Sequence, residues 1–200
     1  IMVNSPEADA SFKELHQQLI DDVSALMQRI GVGKEPIDPR LFLFIASPNS
    51  VTPFHIDRYS TFLMQFRGSK QVTVFPQWGE QAVSSLNREA YVAYADTNLP
   101  FDDQIDSFCD CLDFSPGDAL HIPFIAGHHV KNGPDDVSIS MSIIFNTEQS
   151  IAWRKALRFN FAARRVLQRI GREPYAVGQS AFRDSLKARA WGAFNSLRGR

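Results

Sequence analysis

The chain is short of the residues that staple a fold or carry it into a membrane. Its 200 residues include only two cysteines, Cys109 and Cys111, set one residue apart in Phe-Cys-Asp-Cys-Leu. On a strand the two thiols share a face, and adjacent same-face positions rarely suit a disulfide. A Cys-x-Cys pair could bind a metal, but no further cysteine is there to complete such a site. This usage points to a reduced, cytoplasmic protein. No apolar run is long enough to span a bilayer and no signal peptide is recognisable, so no membrane role is expected. Internal repeats and low-complexity tracts are absent too. The chain opens on Ile1 rather than methionine, which suggests a fragment or residues upstream.

Charge of one sign is also lacking overall: the formal net charge is −1. Its distribution is uneven, because residues 151–200 hold twelve Lys/Arg against only Glu173 and Asp184. Such a basic segment can serve nucleic acid, and binding would then be steeply salt-dependent. It contains no recognisable reading motif, so a solvated helical face is the expectation and a nucleic-acid partner is not.

What the sequence does contain is a β-rich middle between helical ends. From Ser11 to Ile30, apolar residues recur at three- and four-residue steps, with Ser11 and Glu14 placed to cap the start and Gly31 and Gly33 to end it. Residues 1–10 read as a frayed lead-in and 34–40 as a connector. Leu41–Ala46 is short, wholly apolar and reads as a buried strand. Thr61–Phe66 and Lys70–Phe75 read as strands joined tightly through Gly68 in a hairpin. The 76–87 stretch reads as loop with a short helix, and 88–105 as a long irregular loop of the kind that lies over sites. Further strands are expected over 106–114, 118–122 and 137–145, the last alternating apolar residues with serine. Residues 151–170 and 180–197 read as amphipathic helices. Many short strands without a βαβ rhythm point to a mainly β fold with flanking α, a double-sheet jelly roll. The expected organisation is an N-terminal helical lead-in (1–40), a jelly-roll core (41–148) and a C-terminal helical extension (149–200). That extension must bury its apolar faces on the barrel or on a second copy of the chain.

The chemistry concentrates in Thr52-Pro-Phe-His-Ile-Asp57 and Pro116-Gly-Asp-Ala-Leu-His-Ile-Pro-Phe-Ile-Ala-Gly-His-His129. Residues two apart on a strand share a face, so His55 and Asp57 can offer an imidazole nitrogen and a carboxylate oxygen to one ion. A third ligand must come from elsewhere, and His121, His128 and His129 are the candidates. His128 and His129 point to opposite faces of an extended chain, and spacing alone does not choose between them. Two histidines and one carboxylate with open positions is the donor set of non-haem Fe(II) oxygenases.

These motifs resemble the JmjC-type, cupin-like 2-oxoglutarate oxygenases, and in pattern most closely the asparaginyl hydroxylases of hypoxia-inducible factor. The likeness covers Leu41–Phe145 and extends more loosely into the C-terminal helices. The family's Thr-Pro-x-His-x-Asp is met by Thr52–Asp57, and its lysine thirteen residues after the Asp is met by Lys70. Its Pro-Gly-Asp-x-Leu-x-Ile-Pro, followed four residues later by a histidine, selects His128 and leaves His129 as the alternative. The resemblance implies a double-stranded β-helix binding Fe(II) through His55, Asp57 and His128. It also implies 2-oxoglutarate as cosubstrate, with Lys70 pairing its distal carboxylate and the Thr52 hydroxyl assisting. A buried lysine needs such a counter-charge, or its pKa falls. Ser142 stands where the hydroxylases carry an asparagine near the cosubstrate. Ala126 and Gly127 replace bulky aromatics before the histidine, a departure expected to widen the pocket. A homodimer through the C-terminal helices is implied as well. The expected function is an Fe(II)- and 2-oxoglutarate-dependent dioxygenase, a hydroxylase acting on a protein side chain or small molecule. The alternative is a non-catalytic metal-binding cupin serving as a binding or regulatory module. The serine face of 137–145 faces either solvent or the barrel interior.

Overall fold

In a computed structural model that describes residues 1–100 and 109–198, the chain divides into two units, Ile1–Gln77 with Asp103–Glu148 and Trp78–Asp102 with Gln149–Arg200. The first contains strand β1 (Met2–Asn4), helix α1 (Lys13–Ile30) and strands β2 (Ile37–Ala46), β3 (Val51–Ile56), β4 (Ser60–Arg67) and β5 (Lys70–Val74). After the second unit's first segment come β6 (Asp110–Phe114), β7 (Ala119–Ile122), β8 (Gly127–Asn132) and β9 (Ser138–Asn146). They form two antiparallel sheets, ordered β1-β2-β9-β4-β7 and β3-β8-β5-β6. From β2 onward the chain changes sheet at every connection except β5 to β6. That winding is the double-stranded β-helix, or jelly roll.

Strand alternation explains what fills each face. On β9, Met141, Ile143 and Phe145 turn outward and bury against Val23 and Met27 of α1, together with Leu41 of β2. The helix forms because its apolar residues recur along one stripe, and it stops at Gly31, which takes the left-handed conformation (φ 73°). The intervening Ser138, Ser140 and Ser142 are buried on the inner face, and Ser140 and Ser142 line a cavity. Of the two expectations for the serine face, the interior one holds. A second core cluster consists of Leu63, Val72, Phe114, Ile122, Ala126 and Val130, of which Leu63, Ile122 and Val130 also line the cavity.

Four local expectations are corrected. The segments around Gly68 are strands, but not a hairpin: β4 pairs with β7 and β9, while β5 pairs with β6 and β8. The turn between them crosses from one sheet to the other. Gly68 has φ +68°, and a Cβ there would lie 2.7 Å from the Val137 carbonyl oxygen, so the crossing requires glycine. The N-terminus is not frayed, because Met2–Asn4 pairs with Phe42–Phe44 at the edge of the first sheet. Ser11 does not cap the helix: α1 starts after Phe12 without a side-chain cap, and the capped element is the 3₁₀ turn before it, where the Asp9 carboxylate accepts from the Ser11 amide at 2.9 Å. The 34–40 connector is partly strand, with a ladder irregularity between Ile37 and Arg40 where Pro39 cannot donate. The expected strand over 106–114 is seen from Asp110, and its residues before 109 lie outside the described ones. Cys109 and Cys111 are not joined in a disulfide.

The second unit contains α2 (Ser85–Val92), α3 (Glu148–Leu167) and α4 (Ala181–Arg198). Helix α2 occupies the start of the stretch read as an irregular loop; residues 101–105 of that reading lie outside the described ones. The unit's interior holds a buried ion pair. Glu89, fully buried, accepts from Arg164 Nε and Nη2 at 2.8 and 2.9 Å and from Asn160 Nδ2 at 3.1 Å. Phe182, Leu186 and Leu197 of α4 stay exposed. Among the described residues, no helix is long and apolar enough to cross a membrane.

Candidate metal centre

The site begins with a proline in a place where a strand tolerates one. Pro53 lies on β3, the edge of its sheet, where a missing N–H costs no ladder bond. The ladder to β8 slips between Thr52 and His55. Strict alternation would send Thr52 and His55 to opposite faces. The bulge lets Thr52, His55 and Asp57 all line the same cavity.

His55 pairs with His128 across β3 and β8, and their ring centroids are 4.1 Å apart. His55 Nδ1 lies 2.8 Å from the Pro53 carbonyl oxygen and His128 Nδ1 lies 3.0 Å from that of Ala126. A carbonyl only accepts, so both Nδ1 atoms carry the proton and both Nε2 atoms present a lone pair. Two backbone contacts thereby fix the tautomer that a metal needs. Burial, with His55 beside it, pushes the His128 imidazole down to about 4 despite the opposing pull of Asp57, so His128 is neutral at pH 7 and free to ligate. The ligand atoms of His55, Asp57 and His128 all lie within 4.8 Å of one another, with His128 Nε2 at 3.7 Å from Asp57 Oδ2. Bonds of about 2.1 Å to one ion set neighbouring ligand atoms about 3 Å apart. Small side-chain rotations suffice to reach that spacing.

The other candidate histidines do not join this group. His129 turns to the opposite face of β8, its ring 6.2 Å from that of Phe75. His121 is exposed and lies against Phe62, centroids 4.8 Å apart. Neither lines the cavity.

The cavity measures about 690 Å³ and contains Lys70, Thr52 and Ser142 as well as the triad. Lys70 is 7 % exposed, and its ammonium donates to Ser140 Oγ at 2.8 Å, reaching from one sheet to the other. Among the described residues, no carboxylate pairs with it, and burial holds it down to about 8. Opposite it on β8 is Asn132, whose amide nitrogen donates to the Ser50 carbonyl and hydroxyl oxygens at 3.0 Å each. The amide oxygen of Asn132 and the hydroxyl of Thr61 are buried without partners, an uncommon state that a ligand or water would relieve. Ser140 belongs to the serine face whose inward position is one of the two expectations; Asn132, Phe42 and Phe44 were not singled out from the sequence as site residues. The signal was there in period two, since Ser140 shares a face with Ser142 and Asn132 shares one with His128. Ala126 and Gly127 do not line the cavity; Ala126 packs in the core cluster with Leu63, Val72 and Phe114.

The fold and the site together define a double-stranded β-helix with two imidazoles and a carboxylate converging inside it, a barrel with the potential to bind a metal. The chain belongs to the Cupin-like domain family, whose model matches residues 1–151. Among solved structures it is similar to the oxalate decarboxylase of Lactobacillus farciminis in its formate complex (17 % identity over 55 % of this chain and 25 % of that one, TM-score 0.37). It is also similar to a recombinant oxalate oxidase in complex with glycolate (14 % identity, 54 % and 42 %, TM-score 0.37). A third is an RmlC-like cupin from Methanocaldococcus jannaschii with a double-stranded β-helix fold (11 %, 54 % and 69 %, TM-score 0.35). The chain spans a quarter to a half of the length of the first two. No curated protein matches it significantly.

Proposed function

We propose that this chain is an Fe(II)- and 2-oxoglutarate-dependent dioxygenase that hydroxylates a protein side chain or small molecule, in the manner of the JmjC-type and asparaginyl hydroxylases its motifs resemble. The observation that carries the reading is Lys70. A buried ammonium without a carboxylate, facing the same cavity as a His-Asp-His cluster, calls for a ligand with an anionic end. A dicarboxylate that also chelates the metal meets both demands.

In this reading His55 and His128 hold their Nε2 lone pairs toward the metal because the Pro53 and Ala126 carbonyls hold the Nδ1 protons. Asp57 adds the charge that favours a divalent ion. Lys70 takes the distal carboxylate, with Thr52 and Ser142 supplying hydroxyls from the cavity wall. Bound Fe(II) and 2-oxoglutarate would supply the oxidising chemistry; the barrel's part is to orient the reactants and exclude water. The exposed Phe182, Leu186 and Leu197 of α4 support pairing with a second copy, which sedimentation of the full chain tests.

The direct test is anaerobic titration with Fe(II) and 2-oxoglutarate, following the visible charge-transfer band of the chelated cosubstrate. A band that forms in the wild type and is weakened in Lys70→Ala is expected. Retained metal with no band would instead assign the chain to the metal-binding modules that do not turn over.

A further inference from the structure

The cavity is larger than a five-carbon dicarboxylate requires, and the remainder has a character of its own. Phe42 and Phe44 lie two apart on the inner face of β2, half-buried, with near-parallel rings whose centroids are 6.3 Å apart. Their cross-strand neighbours on β9 are Ser142 and Ser140. On that side the short serine side chains do not pack over the rings as a branched neighbour would; on the other side β1 sets Asn4 opposite Phe42 and Met2 opposite Phe44. Charge is scarce here. Among the described residues, Lys70 is the only lysine or arginine side chain that lines the cavity and Asp57 the only carboxylate.

We propose that the prime substrate presents an uncharged, flat apolar group to the wall formed by Phe42 and Phe44. The inference rests on the dioxygenase reading for its division of the cavity: cosubstrate on Lys70 and the metal, substrate on the aromatic wall. Once Lys70 and Asp57 are committed, a second charge entering the cavity has no partner, and burying an unpaired charge costs several kcal/mol. A neutral ring has no such cost and gains contact with both phenyl faces. A free small molecule or a neutral aromatic side chain of a peptide meets that chemistry.

The test uses ligands that share one ring and differ in charge. Indole, indole-3-acetate and tryptamine are titrated by saturation-transfer NMR into the protein loaded with diamagnetic Zn(II) and saturating 2-oxoglutarate. Indole is expected to bind at least about tenfold more tightly than either charged analogue, a difference of about 1.4 kcal/mol. Phe42→Leu and Phe44→Leu, which keep the wall apolar but remove its flat faces, should each weaken indole severalfold and leave 2-oxoglutarate binding unchanged. Equal binding of the three probes, or indole binding indifferent to both variants, overturns the proposal. N-acetyltryptophanamide distinguishes the sources: binding that matches indole supports a peptide-borne ring, and exclusion supports a small molecule. If 2-oxoglutarate does not bind, indole-3-acetate should take Lys70 and outrank indole, which sinks the dioxygenase reading. The same series in Lys70→Met then judges the wall alone, and a lost preference for indole there refutes it.

Discussion

Replacing Lys70 by methionine should stabilise the ligand-free protein while weakening its response to a dicarboxylate. In the fold, burial brings the ammonium from 10.5 down to about 8. Folding therefore disfavours the charged form. That penalty is present in full below pH 8 and vanishes as pH rises through 10.5. At about 1.4 kcal/mol per pH unit, it amounts to about 3 kcal/mol at pH 7. Methionine keeps an unbranched stem of similar length and loses the 2.8 Å hydrogen bond to Ser140, worth about 1 kcal/mol. The variant should thus gain about 2 kcal/mol at pH 7, an advantage that disappears by about pH 10.5. Urea unfolding should be followed by circular dichroism in the sheet region, because Trp78, Trp153 and Trp191 all belong to the second unit. Added to the Mn(II)-loaded protein at about a hundred times its wild-type Kd, 2-oxoglutarate should contribute about 2.7 kcal/mol to the wild type and markedly less to the variant, which keeps the metal cluster but not the ammonium. A variant that is less stable at pH 7, by an amount independent of pH, would refute the claim that Lys70 is an uncompensated buried cation.

His55→Ala, Asp57→Ala and His128→Ala should each abolish iron retention and turnover, measured by metal analysis after dialysis and by 2-oxoglutarate consumption. His129→Ala should be milder, because its ring faces away from the cavity toward Phe75; the reverse order would exchange the two histidines. Glu89→Ala leaves Arg164 buried without its bidentate partner and should cost about 3–5 kcal/mol, seen in tryptophan fluorescence. Gly178→Ala should destabilise the same unit by about 2–4 kcal/mol, because φ is +93° and the new Cβ would lie 2.3 Å from Trp78 Cδ2; an unchanged midpoint would contradict that packing.

The parts of this fold that follow from local periodicity were legible in the sequence, and those that depend on remote partners were not. Period two placed His55 beside Asp57 and separated His128 from His129, and the structure keeps both relations. The same rule predicts that Thr52 faces away from His55, and it fails because a bulge at Pro53 inserts a residue that no alternation count reveals. Gly68 marks a turn correctly. A turn signal does not say whether the strands it joins pair with each other, and here β9 and β8 claim them for different sheets. Met2–Asn4 could not be read as a strand, since all three residues are exposed and only its pairing with Phe42–Phe44 makes it one.

The serine stripe of β9 shows why the site can exist at all. A barrel of this size normally fills its interior with side chains. Here one part of the interior is filled by Leu63, Val72, Phe114, Ile122, Ala126 and Val130, and the outer face of β9 is buried under α1. With stability drawn from those two regions, the inner face of the same strand is free to carry Ser140 and Ser142, too small to reach across. The space they leave accommodates Lys70, the rings of Phe42 and Phe44, and the cluster of His55, Asp57 and His128. Filling it with Ser142→Leu should preserve or raise the urea midpoint and remove 2-oxoglutarate binding. A variant that folds and still binds the cosubstrate would show that this space is not where the ligand goes.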